Sequence, residues 1–184
     1  MFTFAPIGVI HSCFKEKFGI PRQPGLVPAA RAVLELLPPY NRAEAVRGLE
    51  GFSHIWVSFV FHACLDEPWK PTVRPPRLGG NRRLGVFATR STHRPNPIGL
   101  SAVELERIET GPGQVLLHLK GVDLMDGTPV LDIKPYLPYS DVIPGATGGF
   151  AAEAPSALFE VNFSQPALAR CAAVPELELL VRQI

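Results

Sequence analysis

The chain has 184 residues, 46% of them hydrophobic and 19% charged, enough apolar side chain for one packed domain and too little charge for global disorder. Its 20 prolines and 16 glycines interrupt the chain too often for a bundle of long helices and favour short strands joined by turns. The net charge of +1 conceals an asymmetry: residues 1–100 carry 13 Lys and Arg against 6 Asp and Glu, and residues 101–184 carry 5 against 11.

In chain order, the apolar run Phe4–His11 predicts a first strand. The segment Pro39–Glu50 (PYNRAEAVRGLE) predicts a helix, with Asn41 as cap, Glu44 three residues on and Gly48 at its end. Phe52–Leu65 is rich in aromatic and β-branched residues and predicts a central strand buried on both faces. Arg83–Thr89 and Gly99–Ile108 predict two more strands; the second places Val103, Leu105 and Arg107 on one face and Glu104 and Glu106 on the other. Past a turn at Gly113, Val115, Leu117 and Leu119 repeat the alternation. Asp126-Gly127 between apolar stretches predicts a hairpin, with Val130–Ile133 as its return strand. Ser140–Pro155 predicts a loop, Ala157–Phe163 a short strand and Gln165–Ala173 a helix. Leu177, Leu180, Val181 and Ile184 form an apolar stripe at helical spacing. Several short strands and few helices predict a mainly β fold, a single small β-barrel whose closure removes exposed strand edges.

Between residues 70 and 94, Lys70, Arg74, Arg77, Arg82, Arg83, Arg90 and Arg94 occur with no acidic residue. Such a cluster repels itself unless an anion is met there, so phosphate contacts compete with a plain solvated basic face. The loop after Gly85 runs Arg90-Ser91-Thr92-His93-Arg94-Pro95-Asn96-Pro97. Its two prolines stiffen the backbone and present the polar side chains in one shape. Pro21 and Pro24 similarly pin a loop that offers Arg22 and Gln23, a fork donor and an amide. A further polar set is Asp132, Lys134, Tyr136, Tyr139 and Asp141, in which Asp132 and Lys134 share a strand face; a surface ion pair with an aromatic cover competes with a functional role.

Several devices are absent: no G-x-G-x-x-G follows a strand, and there is no Walker Gly-Lys-Ser/Thr and no G-x-S-x-G. A nucleotide-like cofactor would therefore not sit on a Rossmann phosphate loop. The pairs His11/Cys13 and His62/Cys64 invite a zinc reading, since residues two apart share a strand face. Both pairs lie in apolar runs, where cysteine more often acts as a small hydrophobe, and no metal is expected. Three cysteines, Cys13, Cys64 and Cys171, are too few for a disulfide framework. No apolar run nears the ~20 residues of a membrane span. Met1-Phe2-Thr3-Phe4 lacks the basic start of a signal peptide, so a cytoplasmic location is expected.

The blocks IGVIHSCFKEKFGIPRQPGLV, NRAEAVRGLEGFSHIWVSFVFH, KPTVRPPRLGGNRRLGVFATRSTHRPNPIGLSAVEL and DLMDGTPVLDIKPYLPYSD, together spanning about Ile7 to Asp141, resemble the TrmO family, also called TsaA-like. The resemblance implies a tRNA methyltransferase that uses S-adenosylmethionine to methylate N6 of threonylcarbamoyladenosine next to the anticodon. It also implies a β-barrel core and a homodimer with the cofactor near the subunit interface. Carried over by motif, the implied cofactor contacts are Arg22, Gln23, Pro24, His62, Ala63, Arg90, Leu100, Lys120, Gly121, Val122 and Asp123. Of these, Ala63, Leu100 and Lys120 to Asp123 would act through backbone or apolar contact. Residues 1–141 are then the cofactor-binding and catalytic barrel, and residues 142–184 a loop and helical appendage. The family is expected to continue past Ile184 into a further small region.

The nucleophile in that reaction is a urea-like nitrogen carrying a proton that must leave, so a base or relay beside it is expected. Asp132 is the expected base, with Lys134 and Tyr136 orienting it or the carbamoyl group, and His93 is the second choice. Arg74, Arg77, Arg82, Arg83 and Arg94 are expected to hold anticodon-loop phosphates, and Tyr136 or Tyr139 to stack on a base. The alternative from another class is a regulatory module that binds S-adenosylmethionine or RNA without chemistry.

Overall fold

A computed structural model describes residues 2–155, 160–174 and 176–183. Six antiparallel strands close into a barrel. They are β1 (Gly8–Ser12), β2 (Arg31–Leu36), β3 (His54–Val60), β6 (Ile98–Gly111), β7 (Gln114–Lys120) and β8 (Pro129–Pro135), in the ring order β1-β2-β7-β6-β3-β8. Alternation decides which side chains fill the interior. Ile10, Leu34, Ile55, Val57, Val103, Val115, Leu117, Leu119 and Val130 are all at most 1% exposed.

The β-barrel expected from the sequence is thus the fold, with corrections in detail. The first strand starts at Gly8 rather than Phe4. Strand β2, RAVLEL, escaped the sequence reading although Ala32, Leu34 and Leu36 alternate into the core. Strand β3 is shorter than expected, and its outer residues are half-buried or exposed, so it is not covered on both faces. The helix expected over 39–50 is two 3₁₀ turns, Ala43–Val46 and Leu49–Gly51, with no side-chain cap. Only Val46 of those turns is buried, so no apolar stripe rewards a regular helix. Asn41 instead donates to the Gly113 carbonyl of the β6–β7 turn.

Two bulges reset strand phase. The β6–β7 register slips between Leu105 and Arg107, so Arg107 pairs with His118 on the outside and does not share the inner face of Val103 and Leu105. The β3–β8 register slips between Ser58 and Phe59: Ser58 pairs with Asp132 but Phe59 with Val130. Leu131 is the surplus residue, and Val130 points in while Asp132 points out.

The Asp126-Gly127 turn forms, with Thr128 N–H donating to the Met125 carbonyl at 3.2 Å and Gly127 at φ 76°. It does not join paired strands, because β7 and β8 lie three places apart in the ring. Residues 121–128 instead cross one end of the barrel. Gly121 N–H reaches the Ala30 carbonyl at 2.8 Å, and Ser12 Oγ reaches the Leu124 carbonyl at 2.8 Å. Val122 and Leu124 plug this end at 0% and 1% exposure, each contributing roughly 1.5–3 kcal/mol over an exposed position.

Outside the barrel, β4 (Thr72–Val73) and β5 (Leu84–Gly85) form a two-stranded arm. The strand expected over 83–89 is only this short, because a 3₁₀ turn, Val86–Ala88, follows it. After β8 come the one-turn helix α1 (Pro138–Asp141) and two helices of seven residues, α2 (Gln165–Cys171) and α3 (Leu177–Gln183). The stretch 142–155 is loop with one 3₁₀ turn. Of the strand expected over 157–163, residues 157–159 lie outside the described residues and 160–163 are not in a strand. Leu180 of α3 packs against the core and Arg31 binds Glu176 at 2.8 Å, fastening this tail to the barrel; Ile184 lies outside the described residues.

Gly99 in β6 faces Phe59, and a Cβ there would lie 2.2 Å from the ring. Gly99→Ala should therefore lower stability by about 1–3 kcal/mol, read as a shift of the urea unfolding midpoint. An unchanged midpoint would mean that the ring turns aside at no cost.

Candidate functional site

Most of the cofactor residues implied by the resemblance, Leu100 excepted, gather at the plugged end of the barrel. Gly25 N–H donates to the Gly121 carbonyl at 2.8 Å, which seats the Pro21–Gly25 loop on the crossing segment. Both glycines have positive φ, and a Cβ on Gly121 would touch Gly25 Cα at 3.4 Å. Glycine at 121 thus permits both the turn and the close approach. Gln23 accepts a hydrogen bond from Arg90 Nη1, joining this loop to the proline-stiffened segment after β5.

Asp123 lies beneath this junction. Its Oδ1 is buried and has no hydrogen-bond partner among the described residues. Burial pushes the carboxyl above its usual range, opposed by the Ser101 hydroxyl, the backbone and, more weakly, the Arg90 charge. A buried carboxylate oxygen without a donor calls for a cationic or N–H-bearing ligand. The ammonium and sulfonium charges of S-adenosylmethionine match that requirement, so the residues fit the group. Val122 acts through its buried side chain as part of the plug, leaving only its backbone for a ligand. Lys120 ends β7 and pairs with Glu104 at 3.7 Å.

His62 and Ala63 open the 3₁₀ turn His62–Cys64 that follows β3. That turn leans on the same stiffened loop: Phe61 N–H donates to the Pro97 carbonyl at 2.8 Å, and Cys64 Sγ contacts Thr92 Oγ1 at 3.4 Å. Arg22, Gln23, Pro24, Arg90, Gly121 and Asp123 are thus brought together, with the His62 turn beside them.

Asp132, Lys134 and Tyr136 are elsewhere. Asp132 and Lys134 stand on the outer face of β8, paired at 2.6 Å in the open, and Tyr136 follows its last residue. Tyr136 packs on Trp56 with ring centroids 5.6 Å apart, and Trp56 Nε1 donates to Asp141 at 2.9 Å. Across the strands, Asp132 faces Ser58 and Ser58 faces Leu100, which is 55% exposed. Leu100 therefore belongs to this outer face, while the next residue, Ser101, is buried on the inner side near Asp123. Among the described residues no hydrogen bond or ion pair joins the Asp132 set to Asp123 or Arg90. The second-choice base, His93, is turned to Glu67 at 3.3 Å. Sequence reading missed Ser101, Ser58 and Trp56; only the alternation in β3 and β6 could have placed them.

Of the basic residues, Arg74, Arg77, Arg82 and Arg83 are exposed on the ten-residue connection of the β4–β5 arm. Arg77 donates to the Glu153 carbonyl and Arg83 to Thr72 Oγ1. Arg94 braces its own loop, with Nη1 2.7 Å from the Thr89 carbonyl and the guanidinium over Phe87. The two His-x-Cys pairs do not meet, since β1 and β3 are not neighbours and His11 binds Glu35 at 2.8 Å.

Residues 9–142 match the model of the tRNA-methyltransferase O N-terminal domain. The chain is 53% identical over 187 residues to the tRNA (adenine(37)-N6)-methyltransferase of Escherichia coli, covering 100% of this chain and 80% of that protein. It is 56% identical over 166 residues to a putative S-adenosylmethionine-dependent methyltransferase of Pseudomonas aeruginosa, covering 90% of this chain and 67% of that one. A crystal structure of TrmO from Pseudomonas aeruginosa superposes with a TM-score of 0.81 at 46% identity, covering 100% of this chain and 80% of that one.

Because the folded state raises the Asp123 pKa, this carboxyl favours folding at low pH. That contribution is lost as pH rises from the ordinary carboxylate range through the raised folded value. Asp123→Asn should remove the effect, so the variant should gain stability relative to wild type between acid and neutral pH. Urea unfolding of both proteins across that range checks it; a stability difference independent of pH would mean that the carboxyl is not perturbed.

Proposed function

The chain belongs to the TrmO family, and from that premise we infer that it is an S-adenosylmethionine-dependent tRNA methyltransferase acting on N6 of the adenosine next to the anticodon. The observation that carries the site reading is the buried, unpartnered Asp123 Oδ1 where the Pro21–Gly25 loop, Arg90 and the crossing segment converge. We propose that Arg22, Gln23, Pro24, Arg90 and Asp123 hold the cofactor there. His62, Ala63, Lys120, Gly121 and Val122 line it through backbone or partial contact. S-adenosylmethionine, when bound, supplies an electrophilic methyl group, so transfer is an in-line displacement in which positioning contributes much of the rate.

Asp132 accepts the N6 proton, and Lys134, 2.6 Å away, orients its carboxylate. Tyr136, held on Trp56, provides a flat apolar surface for the modified base. Since Asp132 and Leu100 lie on the outer face and Asp123 on the inner side of the same wall, the reaction needs a geometry that spans them. A homodimer supplies it: Ile98 and Leu100 are exposed apolar residues on β6, 46% and 55% accessible, beside the Asp132 face. Packing this face against a second copy would bury them and set one copy's Asp132 near the other's cofactor. The arginines of the β4–β5 arm meet anticodon-loop phosphates, with Arg94 shaping the loop behind them. The substrate is the threonylcarbamoyl-modified adenosine, and the place of work is the cytoplasm.

Methyl transfer measured on tRNA with and without the threonylcarbamoyl group tests this reading; incorporation only into the modified tRNA is expected, and none into either overturns it. Asp132→Asn should keep cofactor affinity by calorimetry yet lose more than about tenfold in turnover, ~1.4 kcal/mol of barrier. Turnover within tenfold of wild type would remove Asp132 as base. Affinity for tRNA should fall steeply with salt, and Arg82→Ala with Arg83→Ala should reduce the log–log slope by about one per arginine. An unchanged slope would take the arm out of phosphate binding.

A further inference from the structure

Three ligating side chains that the methyl-transfer reading leaves unused meet beside the cofactor end. Cys64 closes the turn after β3 and is 7% exposed. Glu67 folds back on it through a 3.3 Å bond from its N–H to the Cys64 carbonyl. His93 comes from the proline-stiffened loop, one residue past Thr92, whose hydroxyl contacts Cys64 Sγ. The thiol sulfur, one carboxylate oxygen and one imidazole nitrogen all lie within 4.8 Å of one another. His93 Nδ1 and Glu67 Oε2 are 3.3 Å apart. Ligand atoms bound tetrahedrally at ~2.0–2.3 Å stand roughly 3.3–3.8 Å from each other, so small rotations close the set around one ion.

We propose that Cys64, Glu67 and His93 form a binding site for a divalent cation of the zinc type, with a fourth position open to solvent. One soft thiolate, one imidazole and one carboxylate suit a borderline metal better than calcium or magnesium, which prefer oxygen alone. A third segment orients the carboxylate. Lys17 Nζ takes Glu67 Oε1 at 3.2 Å, leaving Oε2 toward His93. Coordination replaces the Cys64 S–H bond with a sulfur–metal bond and releases one proton to solvent, without oxidation or reduction. The set differs from the pairs that His-x-Cys spacing suggested: it keeps Cys64, adds Glu67 from the same turn and recruits His93 from the proline-stiffened loop. Its consequence is mechanical, since the ion would clasp the His62–Cys64 turn to the loop that carries Arg90. The proposal does not rest on the methyltransferase reading.

Cobalt(II) titrated into the metal-free full chain tests the site. One equivalent should bind with a thiolate-to-cobalt charge-transfer absorption that zinc displaces. Cys64→Ser should abolish that absorption. Glu67→Gln, at an exposed position that the core does not touch, should weaken binding about tenfold or more. No charge-transfer band in the wild type overturns the proposal. So does a band that survives Cys64→Ser, which would place the metal on Cys13 or Cys171, or unchanged affinity in Glu67→Gln. Should Cys64→Ser fail to fold, His93→Gln takes its place, with the same loss of affinity expected and an unchanged affinity equally fatal.

Discussion

The connection from β7 to β8 cannot take the short route, because those strands sit on opposite sides of a six-membered ring. Residues 121–128 must pass over the barrel end, and the burial of Val122 and Leu124 holds them there. That apolar anchoring keeps a carboxylate, Asp123, in a place where isolated solvation would not put it. The same segment offers Gly121 as the seat for the Pro21–Gly25 loop and reaches Ser101 on β6. Much of the proposed cofactor end therefore depends on a hydrophobic plug whose own side chains need touch no ligand.

The barrel wall then divides the labour. Side chains alternate across β6, so Ser101 serves the inner set while its neighbour Leu100 serves the outer one. Asp132, Lys134 and Tyr136 share the outer set's exposure, with Trp56 and Asp141 fixing the ring of Tyr136 in place. Cofactor binding is proposed on one side and proton chemistry on the other, which is why a second copy enters the proposed reaction.

Legibility in the sequence followed locality. The alternation of Val115, Leu117 and Leu119 and the stiffened loops at Pro21–Gly25 and Arg90–Pro97 were readable, because each reflects backbone constraints acting within a few residues. The pairing of β7 with β2 and β6 was not, since it is set by contacts distant in the chain. Asp126-Gly127 carried the right turn chemistry but the wrong inference, as a turn dipeptide fixes a local bend and not which strands flank it. The 39–50 segment carried helix-start signals without an apolar stripe, and the missing stripe proved decisive. Asp123 could be named only by resemblance, because its burial depends on the crossing segment, which no local pattern announces.

The extra residue in β8 has one more implication. Pro129 and Val130 pair with β1, Val130 also pairs with Phe59 of β3, and Asp132 to Pro135 continue along β3, with Leu131 bulged out between Val130 and Asp132. It works as a phase shifter, letting Val130 at the closing seam point inward while Asp132, two residues on, points outward. A chain shortened by that single residue would keep Val130 inward and Asp132 outward on an uninterrupted ladder, so this is a position where loss of one amino acid need not invert the strand.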